Sequence, residues 1–559
     1  MISVIRPRSC ALALALLAFG PAVGARQSPQ TPAPQGTARI AGHVIQASTG
    51  KPIPAATLQL LSWPGNGVPR RATVDAHGAF EIGGLPPGSY KLTATAGGYV
   101  TGDYGQARST VSGSSLSVPG KPIDLKDGDH FDKADVMLWH TSAIEGQLLD
   151  EFGDPAPDVT VQIAQVLMAA GRTRMMPVPS RVAPTDDLGR FRAWGLPPGD
   201  YYVLALSGPF AIQLPPSMAA TPAAAGFAPT YFPGTPLATA AKPVHVDVGG
   251  DVHDVVFQLS PAPLFTLSGR VVDVDGRAAA GPLGLQMYQT QGGDIRAFIP
   301  AILSVGADGT FTYRNVPAGS YVLLTNAPSC AASAPFEITG DGSDVVVTCR
   351  RPITARGRIS FDGDAPRPPK EQMRITLRPT DFVSGGQVGG GLRPFHVNDD
   401  WTFEIGALST VGVLRAAGDP AWVLKSITLD GKDITDTPYD FRLTNVEGLE
   451  VVLTSRVGSV AGTVQDENQP STDYNVLVFS EDAAKWAFPS RFVAFARSNQ
   501  QGRFNAGGLL PGNYLAVALA DVSGTEQDPA FLESLRSVAT RVIIGEGNAA
   551  TVALKLIKR

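Results

Sequence analysis

One five-residue motif recurs along the chain at a constant distance from two aromatic residues, and it constrains the fold more than any other feature. It reads GLPPG at 84–88 and at 195–199, NVPAG at 315–319 and GLLPG at 508–512. A phenylalanine precedes the last glycine of each copy by eight residues, and a tyrosine follows that glycine after two: Phe80 and Tyr90, Phe191 and Tyr201, Phe311 and Tyr321, Phe504 and Tyr514. Four copies in one register indicate a repeated structural unit.

The residues around the motif predict a strand, a corner and a second strand. A turn ending in glycine, such as DAHG at 75–78, precedes each phenylalanine, and Asp or Asn with Gly is the usual chemistry of a chain reversal. Proline fixes φ and has no N–H for a β-ladder, so the first strand ends at the motif. The alternation in YKLTATA at 90–96 then predicts a half-buried strand that begins at the tyrosine.

Two further landmarks complete each unit. Upstream of the motif lies an alternating strand with a central glycine: Gly42, Gly146, Gly269, Gly357 or Gly462. The residues two positions before and after are mostly apolar, so the glycine is predicted to face the core and to mark a bulge or a close backbone approach. Downstream, two short apolar runs around a polar turn are typical of a hairpin.

These landmarks divide the 559-residue chain into units of about seven strands, which is enough for a two-sheet sandwich. The predicted fold class is all-β, a tandem array of about five immunoglobulin-like or transthyretin-like β-sandwich modules. Their predicted ranges are 37–140 (module one), 141–260 (module two, with a mobile Ala/Pro loop at 215–226), 261–351 (module three), 352–455 (module four) and 456–559 (module five). Module four is degenerate, because Trp401 replaces the turn glycine and the proline corner is missing.

The first 25 residues have the pattern of an export signal. Arg6 and Arg8 precede an apolar run at 11–19, and small residues at 23–25 suit cleavage, so residues 26–36 are predicted to be a flexible leader. A membrane anchor is the alternative, but the run is shorter than the roughly 20 residues that span a bilayer. No transmembrane span is predicted in the mature chain, and the predicted location is periplasmic, outer-membrane-associated or secreted.

The two cysteines of the mature chain both fall in module three. Cys10 lies within the signal, which leaves Cys330 and Cys349. A lone pair in an exported protein usually bridges, and closing this loop stabilises by about 3 kcal/mol in the chain-entropy model. A Cys330–Cys349 disulfide is therefore predicted, with two buried free thiols as the alternative.

The glycine-centred first strand, the Asp-x-x-Gly-x-Phe turn and the GLPPGxY corner resemble the carboxypeptidase regulatory-like domains, which are transthyretin-like sandwiches grouped with carbohydrate-binding-like folds. The resemblance covers nearly the whole mature chain as tandem copies and is clearest in modules one, two, three and five. It implies a non-catalytic appendage or surface array of exported proteins, and the fold name suggests carbohydrate as a ligand class. Because the shared motif is structural, no functional residues are transferred.

No catalytic constellation is present in the sequence. There is no HExxH or HxxE metal pair, no GxSxG elbow and no Walker-type phosphate loop, so neither an enzyme nor a cofactor is predicted. His245 and His253 flank a hairpin with Asp247, Asp251 and Asp254, but such residues are ordinary in hairpin turns, and no metal ligand is predicted. A net charge of −5 without a basic stripe predicts no nucleic-acid partner.

Aromatic loops are the remaining candidates for a binding site. The loop after the tyrosine strand carries Tyr99 and Tyr104 in module one and Tyr231 and Phe232 in module two, while Trp63 lies in SWPGNG. Loops on rigid sandwiches are where binding usually resides, so these five residues are the predicted ligand-binding set, for a glycan or a protein. The alternative is that the rings pack back over the sandwich edge.

The sequence as a whole predicts a non-catalytic exported binding or scaffold protein of the cell envelope. Carbohydrate, protein and peptide ligands are all compatible with it. The alternatives are a purely structural stalk or adhesin and a protein-binding accessory of an outer-membrane receptor.

Overall fold

The computed structural model describes residues 36–62, 69–106, 120–169, 172–178, 180–206, 225–279, 283–291, 294–295, 301–327, 329–380, 395–467, 469–487, 489–520, 522 and 527–558. In this part of the chain the backbone forms many separate β-sheets and one α-helix. The predicted all-β, multi-module fold is confirmed. The export signal, most of the leader, Trp63 and most of the Ala/Pro loop lie outside the described residues.

Modules one and two each contain two sheets that share a core of their own. The strands of module one are Ala38–Gln46, Thr57–Ser62, Arg70–Thr73, Ala79–Leu85, Gly88–Thr95, Gly102–Asp103, Ile123–Leu125, His130–Phe131 and Val136–Leu138. Those of module two are Ser142–Leu149, Thr160–Ala169, Arg172–Pro177, Arg181–Val182, Arg190–Leu196, Gly199–Leu206, Ala225–Phe227, Thr230–Tyr231, Val244–Val246 and Val252–Gln258, with a 3-10 helix at Ala238–Ala240.

Modules three and four also contain two sheets each, but in module four the strand Val423–Leu429 pairs with the last strand and joins its sheet. Module three has Pro261–Val272, Gly284–Gln291, Asp294–Ile295, Ala301–Ser304, Thr310–Pro317, Gly319–Ala327, Cys330–Ile338 and Gly342–Thr348. Module four has Ile353–Asp362, Arg374–Pro379, Phe395–Val397, Thr402–Leu408, Val411–Ala417, Val423–Leu429, Lys432–Asp433, Tyr439–Asp440 and Val446–Thr454, with a 3-10 helix at Lys370–Gln372.

Module five adds a helix to the plan. Its strands are Gly458–Asp466, Gln469–Ser471, Asn475–Ser480, Val493–Arg497, Arg503–Leu509, Gly512–Leu519, Thr540–Ile544 and Ala549–Ile557, with a 3-10 helix at Ala483–Lys485 and the α-helix Pro529–Leu535. Asp528 caps that helix by accepting from the Ala530 amide at 3.0 Å. Leu532 and Leu535 cover a second apolar face of the sheet with Trp486. The sequence does not predict this helix, because seven residues are too few to show the 3.6-residue period of apolar side chains that indicates a helix.

In each module, the central glycine of the first strand lies directly opposite the phenylalanine near the start of the strand after the turn. The antiparallel pairs are Gly42 with Phe80, Gly146 with Phe191, Gly269 with Phe311, Gly357 with Phe403 and Gly462 with Phe504. On its other side the first strand pairs in parallel with the last strand of its module. A Cβ on Gly269 would overlap the carbonyl oxygen of Val345 in that last strand, and the other four glycines face backbone in the same way. The predicted close approach is confirmed.

The tyrosine of each proline corner donates its hydroxyl to the backbone carbonyl four residues earlier. The bonds run from Tyr90 to Pro86 at 2.6 Å, Tyr201 to Pro197 at 2.6 Å, Tyr321 to Pro317 at 2.7 Å and Tyr514 to Leu510 at 2.9 Å. All four rings are buried, so the start of the second strand is tied to the corner. Module four has the buried Val413 at this place, and its Trp401 takes a φ of 65°, close to the 71° of the turn glycine Gly78.

The core of module three extends onto module two. One apolar cluster contains Leu204, Leu206 and Tyr231 of module two together with Leu285 and Leu323 of module three. Neighbouring residues Val203 and Ala205 face the core of module two instead, so the strand Gly199–Leu206 is buried on both sides. The strand Ala225–Phe227 also pairs with the first strand of module three.

We expect Gly269→Ala to destabilise module three by about 1–3 kcal/mol or more, because the new methyl group must displace the backbone of Val345. Gly284→Ala in the same module is the matched control, since nothing lies within 4 Å of its Cβ position. Differential scanning calorimetry of the two variants measures the effect. Equal midpoints for both variants would contradict the proposed role of the glycine.

We also expect stability to fall at alkaline pH. Burial raises the pKa of Tyr514 to about 12 and that of Tyr474 to about 12, above the ordinary value of 10. A phenol whose pKa is higher in the folded state contributes stability that is complete below about pH 10 and is lost as the pH rises through about 12. Urea unfolding at a series of pH values measures this loss. Tyr514→Phe removes one such phenol, so its stability should depend less steeply on pH, and an unchanged slope would refute the assignment.

Candidate functional site at the module junctions

The two predicted rings of module one are half-buried. Tyr99 stacks on His140 with ring centroids 4.2 Å apart and planes 28° from parallel. The backbone beside it bonds to the start of module two, from the Thr141 amide to the Gly98 carbonyl at 3.0 Å. Tyr104 packs edge-on against Phe131 at 5.8 Å, and burial raises the pKa of its phenol. Tyr99 therefore lies where modules one and two meet.

The two predicted rings of module two also pack inward. Tyr231 is only 2% exposed, and its strand pairs with Leu204, which places the ring in the cluster shared with module three. Phe232 is half-buried and packs edge-on against Phe257 at 5.9 Å. In this arrangement none of the four described rings projects as an exposed platform, and binding of a ligand at them stays a prediction.

The histidines of the module-two hairpin are paired with carboxylates of their own module. His245 Nδ1 lies 2.7 Å from an Asp200 oxygen, and this hydrogen bond raises the pKa of the imidazole. His253 Nδ1 lies 2.8 Å from a Glu145 oxygen on another strand. Asp251 accepts from the Ala143 amide at 2.9 Å. Across the residues that the structure describes, no three His, Cys, Asp or Glu side chains are grouped as a metal site.

The predicted disulfide is present in module three. Cys330 and Cys349 are bonded, with their α-carbons 5.2 Å apart and a sequence separation of 19. Both are buried, and the adjacent Ala331 and Arg350 exchange backbone hydrogen bonds of 2.8 and 2.9 Å. The bridge fastens the end of the module to its penultimate strand.

A cluster of three charged side chains joins modules four and five. Asp436 of module four accepts from Arg415 Nη2 at 3.0 Å and from Arg491 of module five, whose Nε and Nη2 both lie about 3 Å away. Each arginine also reaches across the junction. Arg415 Nη2 donates to the Pro489 carbonyl at 2.7 Å, and Arg491 Nη1 donates to the Lys425 carbonyl at 2.7 Å.

The electrostatics of this cluster depend on Asp436. The side chains of Arg415 and Arg491 are only 16% and 14% exposed, and desolvation lowers the pKa of Arg415. Two cations this poorly hydrated need an anion between them, because their mutual repulsion and lost hydration are otherwise uncompensated. The aspartate makes the junction between the two modules attractive.

The sequence analysis did not identify these residues as a site. They come from three separated segments, and no local spacing brings them together. The only sequence signal was the unusual tail of module four, VLKSITLDGKDITDTPYDF, which contains Asp436 and resembles segments of large exported bacterial proteins.

The fold and the junctions define an all-β, multi-module chain. Residues 39–118, within module one, match the family model of the carboxypeptidase regulatory-like domain. No curated protein matches the sequence. None of the helices in the described part of the chain is long and apolar enough to cross a bilayer.

The solved structures that resemble this chain include two pilins and a TIE protein. A streptococcal ancillary pilin is 13% identical, covering 56% of this chain and 99% of its own, with a TM-score of 0.19. The Bacillus anthracis TIE protein is 12% identical over 90% of this chain and 68% of its own, with a TM-score of 0.14. A minor pilin of Streptococcus agalactiae is 13% identical over 41% of this chain and 97% of its own, with a TM-score of 0.24.

We expect Asp436→Ala to destabilise the junction of modules four and five by about 2 kcal/mol, because hydrogen bonds to charged groups are worth about 1.5–3 kcal/mol. Glu404→Ala is the control: it breaks the exposed Arg356–Glu404 pair within module four, which is worth at most about 1 kcal/mol. Urea unfolding and the rate of limited proteolysis near residue 456 report the two effects. If both variants behave alike, the cluster does not hold the junction.

Proposed function

We propose that the protein is a non-catalytic, exported scaffold of the cell envelope, built from five β-sandwich modules with the ranges given above. Its task is to hold these modules in a fixed mutual arrangement. The observation that carries this proposal is the apolar cluster shared by modules two and three, in which Leu204, Leu206 and Tyr231 pack against Leu285 and Leu323. A flexible array has no need to bury both faces of one strand.

Two other junctions support the same conclusion. Between modules one and two, only a few residues separate the strands Val136–Leu138 and Ser142–Leu149, and the Thr141 amide of module two donates to the Gly98 carbonyl of module one at 3.0 Å. Between modules four and five, Asp436 holds two poorly exposed arginines. Of the binding candidates from the sequence, Tyr231 packs in the apolar cluster that modules two and three share.

Export is part of the proposal. The Cys330–Cys349 disulfide supports it, because such bonds persist in oxidising compartments. The signal pattern at 1–25 is the other support from the sequence. We place the protein in the periplasm, at the outer membrane or outside the cell.

Carbohydrate binding at Tyr99, Tyr104, Tyr231, Phe232 and Trp63 is the competing hypothesis. The fold-family resemblance suggests it, but the packing of the four described rings favours the scaffold, since Tyr231 is buried and Tyr99, Tyr104 and Phe232 are half-buried against neighbouring rings. Protein binding by the assembled scaffold is compatible with both hypotheses.

We expect Tyr231→Ala to loosen the junction of modules two and three and to destabilise the chain by about 3 kcal/mol, as is typical for loss of a buried aromatic ring. Phe152→Ala is the control, because Phe152 is 82% exposed. Small-angle X-ray scattering should show a more flexible particle for the first variant alone.

The same two variants, with Tyr99→Ala, are applied to a glycan array to separate the two hypotheses. If the protein is a scaffold, we expect that neither Tyr99→Ala nor Tyr231→Ala abolishes the binding of any glycan. Loss of glycan binding in Tyr99→Ala or Tyr231→Ala, with unfolding and scattering unchanged, would overturn the scaffold proposal in favour of carbohydrate recognition.

A further inference from the structure

Module five lies against module one, although the contacting residues are 351 to 392 positions apart in sequence. Lys121 of module one donates to the Thr472 carbonyl at 2.8 Å and pairs with Asp473 at 3.1 Å. Arg497 of module five donates to the Gly105 carbonyl at 3.2 Å and pairs with the same Asp473 at 2.9 Å. Asp473 therefore receives one cation from each module.

The two cations of this contact are poorly hydrated. The side chain of Lys121 is 14% exposed and that of Arg497 is 5% exposed. Burying a charge is costly unless it is paired and hydrogen-bonded, and both requirements are met across the contact. Each module thus supplies hydrogen-bond acceptors for a cation of the other module.

The turn before Phe504 makes the most specific part of the contact. Its residues are NQQG at 499–502, which we call the latch turn. The side-chain amide of Gln500 donates to the Asp124 carbonyl at 2.6 Å and accepts from the Asp124 amide at 3.0 Å. Asp124 lies in the strand Ile123–Leu125, which pairs on one side with Gly88–Thr95, so Gln500 occupies the backbone groups of a sheet edge. Asn499 Nδ2 donates to the Asp124 carboxylate at 2.7 Å.

The equivalent turns of modules one and two show that the latch turn has more polar groups than the turn itself needs. Asp75 Oδ1 accepts from the amides two and four residues later at 2.8 and 2.9 Å, and Asp186 does the same at 3.0 and 2.8 Å. Asn499 Oδ1 makes the same two bonds, at 3.0 and 2.9 Å. An aspartate would close this turn equally well, so the amide nitrogen of Asn499 is required only for Asp124.

The three turn residues Asp75, Asp186 and Asn499 also differ in their exposure to solvent. Asp75 and Asp186 are exposed, whereas Asn499 is 9% exposed because module one covers it. Only an amide can both close the turn and donate to a carboxylate. In place of Asn499, an aspartate would set two carboxylates against each other.

We propose that modules one and five form an intramolecular latch that keeps the chain closed on itself in solution, and that the latch turn specifies this contact. The protein is then a closed particle and not an extended stalk. This inference goes beyond the scaffold function and stands independently of it, because junctions between successive modules can be rigid whether or not the ends of the chain meet.

Asn499→Asp tests the latch without disturbing module five. The new carboxylate retains the turn, as Asp75 and Asp186 do, but it repels Asp124. The double variant Asn499→Asp with Asp124→Asn restores a donor and acceptor pair with the roles exchanged. Asp186→Asn is the matched control, because it makes the reverse change at an exposed turn. Each variant is made in the full mature chain.

Two measurements report closure. A zero-length carbodiimide crosslink joins Lys121 to Asp473 only when they touch, and mass spectrometry identifies it in dilute monomer. Small-angle scattering gives the maximum dimension. We expect at least a fivefold loss of the crosslink and a larger maximum dimension in Asn499→Asp, recovery in the double variant, and wild-type values in Asp186→Asn.

Gln500→Ala is the second opening variant, should Asn499→Asp fail to fold. Among the described residues both side-chain hydrogen bonds of Gln500 go to Asp124, so its loss should open the contact while module five stays folded. Wild-type crosslinking and dimensions in both opening variants would overturn the latch. A crosslink that forms only between copies, and rises with protein concentration, would overturn it as well, because the partner of module five would then be a second chain.

Discussion

The contact between a glycine α-carbon and a backbone carbonyl oxygen sets the geometry of each module. In module three the carbonyl of Val345 lies where a Cβ of Gly269 would be, and Phe311 covers the same glycine from the opposite strand. This close approach lets the first strand pair with its module's last strand in parallel and with the phenylalanine strand on the other side. The two ends of a module are thereby brought together at one central strand. Every later feature, including the short connections between modules, depends on that closure.

The proline corner adds the second constraint. A buried tyrosine hydroxyl fixes the corner to the strand that follows, as Tyr201 does with Pro197 at 2.6 Å. The Asx turn before the phenylalanine fixes the strand that precedes the corner. Because these polar groups are used inside each module, the repeated motif carries architecture and not chemistry. Module four shows that the architecture survives without the corner tyrosine, since Val413 fills the same buried place and Trp401 takes the left-handed turn conformation.

The contacts between modules determine what kind of object the chain becomes. Three contacts between modules differ in their chemistry. The cluster around Tyr231 is apolar, Asp436 forms ion pairs with Arg415 and Arg491, and the latch turn uses side-chain amides. In the part of the chain that the structure describes, none of these three contacts recurs between other modules, although the modules themselves are repeats of one another. Each of these contacts therefore specifies one pair of modules, and the mutual orientation of the modules is encoded by residues that differ between the copies of the repeat.

The sequence by itself determined the strands, the corners, the core-facing glycines and the Cys330–Cys349 bond, because each depends on residues close in sequence or on a spacing that recurs. It could not determine whether the rings of Tyr99, Tyr104, Tyr231 and Phe232 are exposed or packed, because the sequence of an aromatic loop is the same in both cases. It gave no sign of the helix Pro529–Leu535, and of the Asp436 cluster it showed only the unusual tail of module four. Only the tertiary structure brought Asn499 to Asp124, because a contact across 375 residues leaves no period in the sequence and depends on the summed geometry of the modules between them.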